Sequence, residues 1–403
     1  MLRFPEFDEE WSTSMLGEVV DITSASRVHK DEWTEHGVPF YRSSDVVAAF
    51  NRTTNTKAYI PLELYKSLTN KTGCVKKDDL LVTGGGSIGI PFLIKTNAPF
   101  YFKDADLLWL KNTNKIRGYF LHSFFTTQSF KRYLRSSSHI GTIAHYTVIQ
   151  AKNTPFQFPS LPEQQKIASF LTSVDWRIEL LQQKKEKLER YKKGVMQHLF
   201  TRKIRFKADD GSEFPDWEEK KLGDVGKFLK GKGISKNDIS EDGNLECIRY
   251  GQLYTEYGEV IDQVKSKTDV DPKNLILSQA NDVIIPSSGE TQIDIARASC
   301  VIRAGIALGG DLNIIRSPIN GVFLSYFLNH RCKNEIAKMA QGISVVHLYN
   351  SQLELLQIEV PSAEEQIKIV RFMASLETTT RTIEKQIKQS QIWKKGLLQQ
   401  MFV

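Results

Sequence analysis

Cysteine is sparse in this chain, and what there is lies scattered. Cys74, Cys247, Cys300 and Cys332 form no CxxC pair and have no histidine at ligand spacing, so neither a zinc site nor a disulfide framework is expected. A reducing cytoplasm suits such a protein. No run approaches the roughly 18 consecutive apolar residues of a membrane-spanning helix, and the acidic stretch from Met1 to Trp11 lacks the apolar centre of a secretory signal. Glycine and proline are absent between Glu163 and Tyr191, which removes the usual helix breakers from that segment.

What is present is ordinary for a folded protein: 40% hydrophobic and 25% charged residues exclude a disordered chain. At 403 residues, with domains of roughly 150, two or three units are expected. The net charge of +7 favours a polyanionic partner without proving one.

The strongest feature is internal duplication. Pro159-Ser160-Leu161-Pro162-Glu163-Gln164-Gln165-Lys166-Ile167 returns 202 residues later as Pro361-Ser362-Ala363-Glu364-Glu365-Gln366-Ile367-Lys368-Ile369. The same offset carries Phe170 onto Phe372, Lys192-Lys193-Gly194 onto Lys394-Lys395-Gly396, Gln197 onto Gln399 and Phe200 onto Phe402. Upstream, Phe4-Pro5-Glu6-Phe7 and Leu16-Gly17-Glu18-Val19 are echoed by Phe214-Pro215-Asp216-Trp217 and Leu222-Gly223-Asp224-Val225. Between these frames the halves agree only at sparse places, such as Tyr41-Arg42 with Ile248-Arg249 and Asp79 to Val82 with Asp282 to Ile285. One scaffold thus carries two divergent inserts.

The repeated frames read as long helices. Ile167, Phe170, Leu171, Val174, Ile178, Leu181, Leu188, Tyr191, Val195 and Leu199 recur at spacings of three and four, with Pro162 in the first turn. The second copy supplies Ile369, Phe372, Met373, Leu376, Ile383, Ile387, Leu397, Leu398 and Met401. A helix of about 40 residues spans roughly 60 Å and cannot bury such a stripe alone. The order insert, helix, insert, helix predicts that the two pair antiparallel as a coiled coil, through Ile167, Phe170, Val174, Ile178, Leu181 and Leu188 against Ile369, Phe372, Leu376, Ile383 and Ile387, giving a pseudo-two-fold repeat with adjacent termini.

Inside each insert, short apolar runs broken by Gly, Asn, Asp and Pro mark strands: Val38 to Tyr41, Leu80 to Val82, Phe92 to Ile94 and Leu107 to Leu110, then Glu246 to Arg249, Val283 to Ile285 and Cys300 to Ile302. A helical stretch follows in each, Gly118 to Leu134 and Gly321 to Met339, and then a loop, Gly141 to His145 or Gly342 to His347. The predicted fold class is mixed α+β: an α/β domain over 1–158, a long-helix region over 159–207, a second α/β domain over 208–359 and a second long-helix region over 360–403.

With the PxxPEQQKI-type segment, the helix ending in KKGxxQxxF and the FPxF and LGEV openings together, the chain resembles over nearly its whole length the specificity subunit of type I restriction-modification systems. The resemblance implies two target recognition domains, each reading one half of an asymmetric bipartite DNA site, with the helices setting their separation. It implies no catalysis and no cofactor in this chain. Two modification subunits would methylate adenine with S-adenosylmethionine, and two restriction subunits would bring ATP and magnesium. About 60 Å corresponds to roughly 17 base-pair steps, so half-site spacing is expected to follow helix length. A related system in which one partner chain carries methylase and nuclease is left open, as is a coiled-coil protein scaffold. An enzyme acting alone would need motifs that are missing. Gly84-Gly85-Gly86-Ser87-Ile88-Gly89 is followed by no Gly-Lys-Ser/Thr and reads as a turn. Asn97-Ala98-Pro99-Phe100 has Ala98 where the Asn-Pro-Pro-Phe motif of adenine methyltransferases has proline. Pro215-Asp216 with Glu218 and Lys220 is too compressed for a nuclease.

Base-edge readout needs Arg, Lys, Asn, Gln, Ser or Thr on loops that enter a groove. The candidates in the first insert are Arg42, Ser43, Ser44, Gly85, Ser87, Thr142, His145 and Tyr146. Those in the second are Arg249, Tyr250, Gln252, Ser287, Ser288, Gln292, Ser344, His347 and Tyr349. Such residues serve turns, caps or packing equally well. Lys184 and Lys187, in the basic run to Lys193, are candidates for phosphate contact along a spacer duplex; a solvated helical face or a partner subunit are the competing explanations.

Overall fold

Two polar ribbons that no hydrophobic pattern signals open the two halves. Ser12–Met15 pairs antiparallel with Pro155–Phe158, and Glu218–Lys221 pairs with Gln357–Val360, so each insert is closed at its base by its own first and last strands. The structure is a computed structural model describing residues 2–103, 106–137, 145–342 and 345–402. It divides into two compact units: Met1–Gln183 with Glu384–Val403, and Lys184–Ile383.

In the first unit a four-stranded sheet has the order Asp21–Ser24, Leu107–Lys111, Leu80–Thr83, Pro91–Leu93. A second sheet sets Val38–Tyr41 between antiparallel Ala58–Ile60 and parallel Tyr101–Phe102. In the second unit the five-stranded sheet runs Lys227–Lys230, Leu312–Arg316, Asp282–Pro286, Ser299–Val301, Val260–Ile261. Its other sheet again places a central strand, Leu245–Ile248, parallel to a short one, Ala307–Leu308. The duplication read from the frames therefore extends to the sheets. Leu80, Leu81, Val82, Ile284 and Ile285 are fully buried, as expected for central strands covered on both faces.

The helical stretches expected to be continuous are each two helices: Gly118–Phe125 and Gln128–Ser137, then Gly321–His330 and Lys333–Met339. At the first break the Thr127 hydroxyl donates to the Phe124 carbonyl and accepts from the Phe130 amide, at 2.7 and 3.2 Å, offering the backbone a local alternative to helix.

The frames form the helices Leu161–Phe200 and Ala363–Met401. In the first unit, Ile167, Leu171, Val174 and Ile178 share a core with Leu397, Leu398 and Met401. In the second, Met196 and Leu199 share one with Ile369, Met373 and Leu376, and Leu188 packs against it. Early residues of one helix meet late residues of the other in both units, which is antiparallel pairing. Equivalent ion pairs accompany it, Lys394 to Asp175 at 2.6 Å and Lys192 to Glu377 at 2.7 Å. The Leu2 amide donates to the Gln400 carbonyl at 2.7 Å, so the two chain ends are adjacent within the first unit. Of the pairing residues expected, Ile167, Val174, Ile178, Ile369, Leu376 and Ile383 are buried, and Phe170, Leu181, Leu188, Phe372 and Ile387 are half-buried. Tyr191 departs from the stripe and is 55% exposed. A straight helix of 3.6 residues per turn drifts from a seven-residue repeat.

The repeated Glu-Gln pair fastens each long helix to its insert. Glu163 accepts from Arg3 at 2.9 and 2.7 Å and from the Trp11 indole at 3.4 Å. Glu365 accepts from Arg205 at 3.2 and 2.8 Å and from the Trp217 indole at 3.1 Å. Gln164 accepts from the Arg117 amide at the head of helix Gly118–Phe125 and donates to the Pro159 carbonyl, both at 2.9 Å. Gln366 repeats this with the Asn320 amide and the Pro361 carbonyl. Gln164 is 1% exposed, so Gln164→Ala strands a buried donor and acceptor. The expected loss is about 1–3 kcal/mol in urea denaturation. An unchanged midpoint would mean that water replaces the amide.

Candidate nucleic-acid interface

In each unit the strand ends bring several loops to one edge. In the second unit, Gly309 N–H bonds the Ile248 carbonyl at 2.9 Å, Gly310 N–H the Gly233 carbonyl at 2.6 Å, Ser287 N–H the Asp311 carbonyl at 2.8 Å and Leu348 N–H the Ser287 carbonyl at 3.0 Å. These bonds bring loops 231–234 and 309–311 and the turn after Ile248 beside a short ribbon in which Ser288–Gly289 pairs antiparallel with Val346–His347. In the first unit, Gly84 N–H bonds the Asp106 carbonyl at 2.8 Å, Tyr146 N–H the Gly84 carbonyl at 2.9 Å and Lys103 N–H the Tyr41 carbonyl at 2.8 Å. They gather 41–44, 84–87, 103, 106 and 145–146. Such an edge is an irregular polar surface on a rigid base, the arrangement that binding loops favour.

The candidate residues divide once placed. Thr142 and Ser344 lie outside the described residues. Tyr146 is a correction: it is 1% exposed, its hydroxyl shares a 2.7 Å hydrogen bond with Thr154, and burial pushes its phenol up. Gly85 is buried against Asp106, and Gly86 takes a φ of +69°, so the glycine run is a turn closed on its own neighbours. Gln252 is 3% exposed, accepting from the Arg249 amide at 2.9 Å and donating to Ser266 at 2.7 Å. Ser288 is 7% exposed and 3.1 Å from His347 Nδ1. Ser287 is buried too. Each is enclosed in a turn or the core, and among the described residues the buried Ser287 Oγ has no hydrogen-bond partner.

Ser44, Ser87, His145, Gln292, His347 and Tyr349 are exposed, and Tyr250 and Ser43 half-exposed. Ser43 donates to the Asp106 carbonyl at 3.3 Å, and His347 stacks on Tyr349 with centroids 6.3 Å apart. Lys184 and Lys187 are exposed on the first long helix.

Two arginines at equivalent places differ. Arg42 follows strand Val38–Tyr41 and is held by Asp45 at 2.8 and 3.1 Å, by the Thr56 carbonyl and by the Trp33 ring at 5.7 Å. Arg249 follows strand Leu245–Ile248, and its Nε is buried with no hydrogen-bond partner among the described residues. Sequence reading missed Lys232, exposed between Gly231 and Gly233 on the same edge, and Arg27, exposed beyond strand Asp21–Ser24. The signal for Lys232 was available, a cation between two glycines directly after a strand.

Among the described residues no group of three or more His, Cys, Asp or Glu could hold a metal ion. No helix among them is long and apolar enough to cross a membrane. A family model described as the type I restriction modification DNA specificity domain matches twice, over residues 8–190 and 215–390. The chain belongs to that family. Among relatives of the family, the type I restriction enzyme MjaVIII specificity subunit of Methanocaldococcus jannaschii is 23% identical over 417 residues, covering 98% of this chain and 92% of that protein. A putative type I specificity subunit of Haemophilus influenzae, S.HindORF215P, is 26% identical over 166 residues, 41% of this chain and 40% of its own length. The crystal structure of the HsdS subunit from Thermoanaerobacter tengcongensis superposes with a TM-score of 0.52 at 15% identity, covering 100% of this chain and 99% of that one. A chain from a study of assembly and conformational transition of the type I R-M system reaches 0.61 at 15% identity, over 97% of each chain. These likenesses carry the fold to the family's pattern of two related halves.

Proposed function

We propose that the chain is the non-catalytic DNA-reading subunit of a type I complex, with residues 1–158 and 208–359 each reading one half of an asymmetric bipartite site and residues 159–207 and 360–403 setting the spacing. The observation that carries this is the pair of loop edges: one stitched backbone frame presents Arg42-Ser43-Ser44-Asp45 in one unit and Arg249-Tyr250-Gly251-Gln252 in the other. A duplicated frame whose outward groups differ, Ser44 in one unit and Tyr250 in the other, suits two unlike half-sites. Ser44, Ser87, His145, Tyr250, Gln292, His347 and Tyr349 are the proposed groove-facing groups, joined by Arg27 and Lys232. Lys184 and Lys187 supply phosphate contact without sequence information. Two modification methyltransferase subunits carrying S-adenosylmethionine, and two restriction subunits using ATP and magnesium, complete the complex in the cytoplasm. Trp176, Leu180, Ile392 and Trp393, all exposed in the first unit, support a protein partner on the helices.

The test is to co-express the chain with its cognate modification subunit and map methylated adenines across a genome. A bipartite motif with unlike halves is expected. A continuous palindrome would overturn the two-half reading, and complex formation without any motif would favour a protein scaffold.

A further inference from the structure

We infer that Arg249 is a specificity-determining residue that reads a guanine in the half-site of the second unit, whereas its duplicate Arg42 is a structural residue that reads nothing. This rests on the half-site reading above and deepens it. Both arginines directly follow the central strand of their sheet and open a turn whose fourth position caps their own backbone amide. In the first unit that position is Asp45, which accepts from the Arg42 amide at 2.8 Å and also holds its guanidinium through two further bonds. The Thr56 carbonyl and the Trp33 ring take up more of the same guanidinium. Arg42 is thereby paired with a counter-charge, and its Nε and Nη2 donors are engaged.

In the second unit the equivalent position is Gln252. Its Oε1 caps the Arg249 amide at 2.9 Å, so the backbone turn is preserved, but it is uncharged and its nitrogen is spent on Ser266. The duplication has kept the cap and dropped the counter-ion. Among the described residues Arg249 has no carboxylate partner, and its buried Nε has no acceptor. The Nε is itself enclosed, so a groove contact requires the half-buried side chain to turn outward. Leaving an unmet position costs it no hydrogen bond there among the described residues, whereas Arg42 would have to break its bonds to Asp45. On the loop edge, beside half-exposed Tyr250 and near the Gly309 backbone, the matching acceptor pair is the guanine O6 and N7 in the major groove, which arginine engages bidentately. A phosphate would also satisfy the charge, and the tests separate the two.

The experiment uses the complex of the full chain with its modification subunits. The methylation motif is mapped for the wild type and for Arg249→Ala, Arg249→Lys and Gln252→Asp, with Arg42→Ala as the comparison. Gln252→Asp rebuilds the first unit's arrangement around an unchanged arginine, so its effect does not depend on deleting a side chain. Arg249→Ala and Gln252→Asp are each expected to relax one G·C position of one half-site, with a roughly 10- to 100-fold loss of discrimination there, the other half unchanged. Arg249→Lys is expected to relax it too, because lysine keeps the charge without the fork. A duplex bearing 7-deazaguanine at that position should bind the wild type more weakly and Arg249→Ala equally. Arg42→Ala should leave every position of its half-site intact. If the wild type yields a bipartite motif that Arg249→Ala and Gln252→Asp both retain in full, the inference fails while the half-site reading stands. Retention by Arg249→Lys alone would mark a phosphate contact and likewise overturn it. A wild-type complex with no bipartite motif removes the half-site reading and this inference together.

Discussion

Glu365→Ala is expected to destabilise the second unit by about 3–5 kcal/mol, because one carboxylate satisfies two buried or half-buried donors at once. Its side chain is 1% exposed, and it holds the Arg205 guanidinium through two bonds and the indole N–H of Trp217, itself 6% exposed. Alanine leaves the Trp217 indole donor without an acceptor and reduces the counter-charge of Arg205 to the exposed Asp216 at 3.4 Å. Arg205 keeps the Phe214 and Pro215 carbonyls, so the stranded Trp217 carries much of the loss. Glu163→Ala should cost less, since Trp11 is half-buried and its indole can turn to water. Chemical denaturation followed by peptide-level hydrogen exchange separates the units. Equal losses at the two sites would contradict the role assigned to the Trp217 indole. Arg205→Met combined with Glu365→Met should recover part of the loss, as removing both charges of a buried pair is gentler than removing one.

These anchors show what the residue pattern could and could not disclose. The Glu-Gln repeat was visible as text, and its place at the start of a long amphipathic segment marked a helix. That Glu163 reaches back to Arg3 and Trp11 was not visible, because the partners lie 160 and 152 residues away and no local pattern links them to the helix. Apolar strands such as Leu80–Thr83 and Asp282–Pro286 stood out. The ribbons Ser12–Met15 and Glu218–Lys221 did not, since their side chains are mostly exposed and carry no apolar alternation. At the loop edge, Tyr146 directly follows His145, yet its ring fills the core, where its hydroxyl shares a hydrogen bond with Thr154. Arg42 and Arg249 looked alike as strand-end arginines. The difference was written three residues on, in Asp45 against Gln252, and acquires meaning only once both are known to cap the same turn.

Mild acid should loosen the two units in sequence, the first unit ahead of the second. His122 sits beside Tyr119, at the wall of a cleft that Asp175, Lys394 and Lys95 also line. Burial, with Lys394 and Lys95 adding repulsion against the opposing pull of Asp175, lowers its imidazole to about 4. An unfolded histidine titrates near 6.5, so between those values the unfolded chain binds more protons than the folded one. The stability tied to neutral His122 is therefore complete above pH 6.5 and lost as pH falls toward 4, by about 2–3 kcal/mol. In the second unit burial disfavours the charge on Glu259, but the hydrogen bond from His330, its backbone bonding and Lys192 outweigh that and hold the carboxyl at about 2. Its contribution is complete above about 4.5 and lost as pH falls toward 2. Between pH 6.5 and 4.5 only the first effect operates. Hydrogen exchange at pH 7 and pH 4.7 should show protection falling in peptides of Met1–Gln183 before those of Lys184–Ile383. His122→Asn, which cannot titrate, should abolish the lead; if it does not, the mild-acid response belongs to another group.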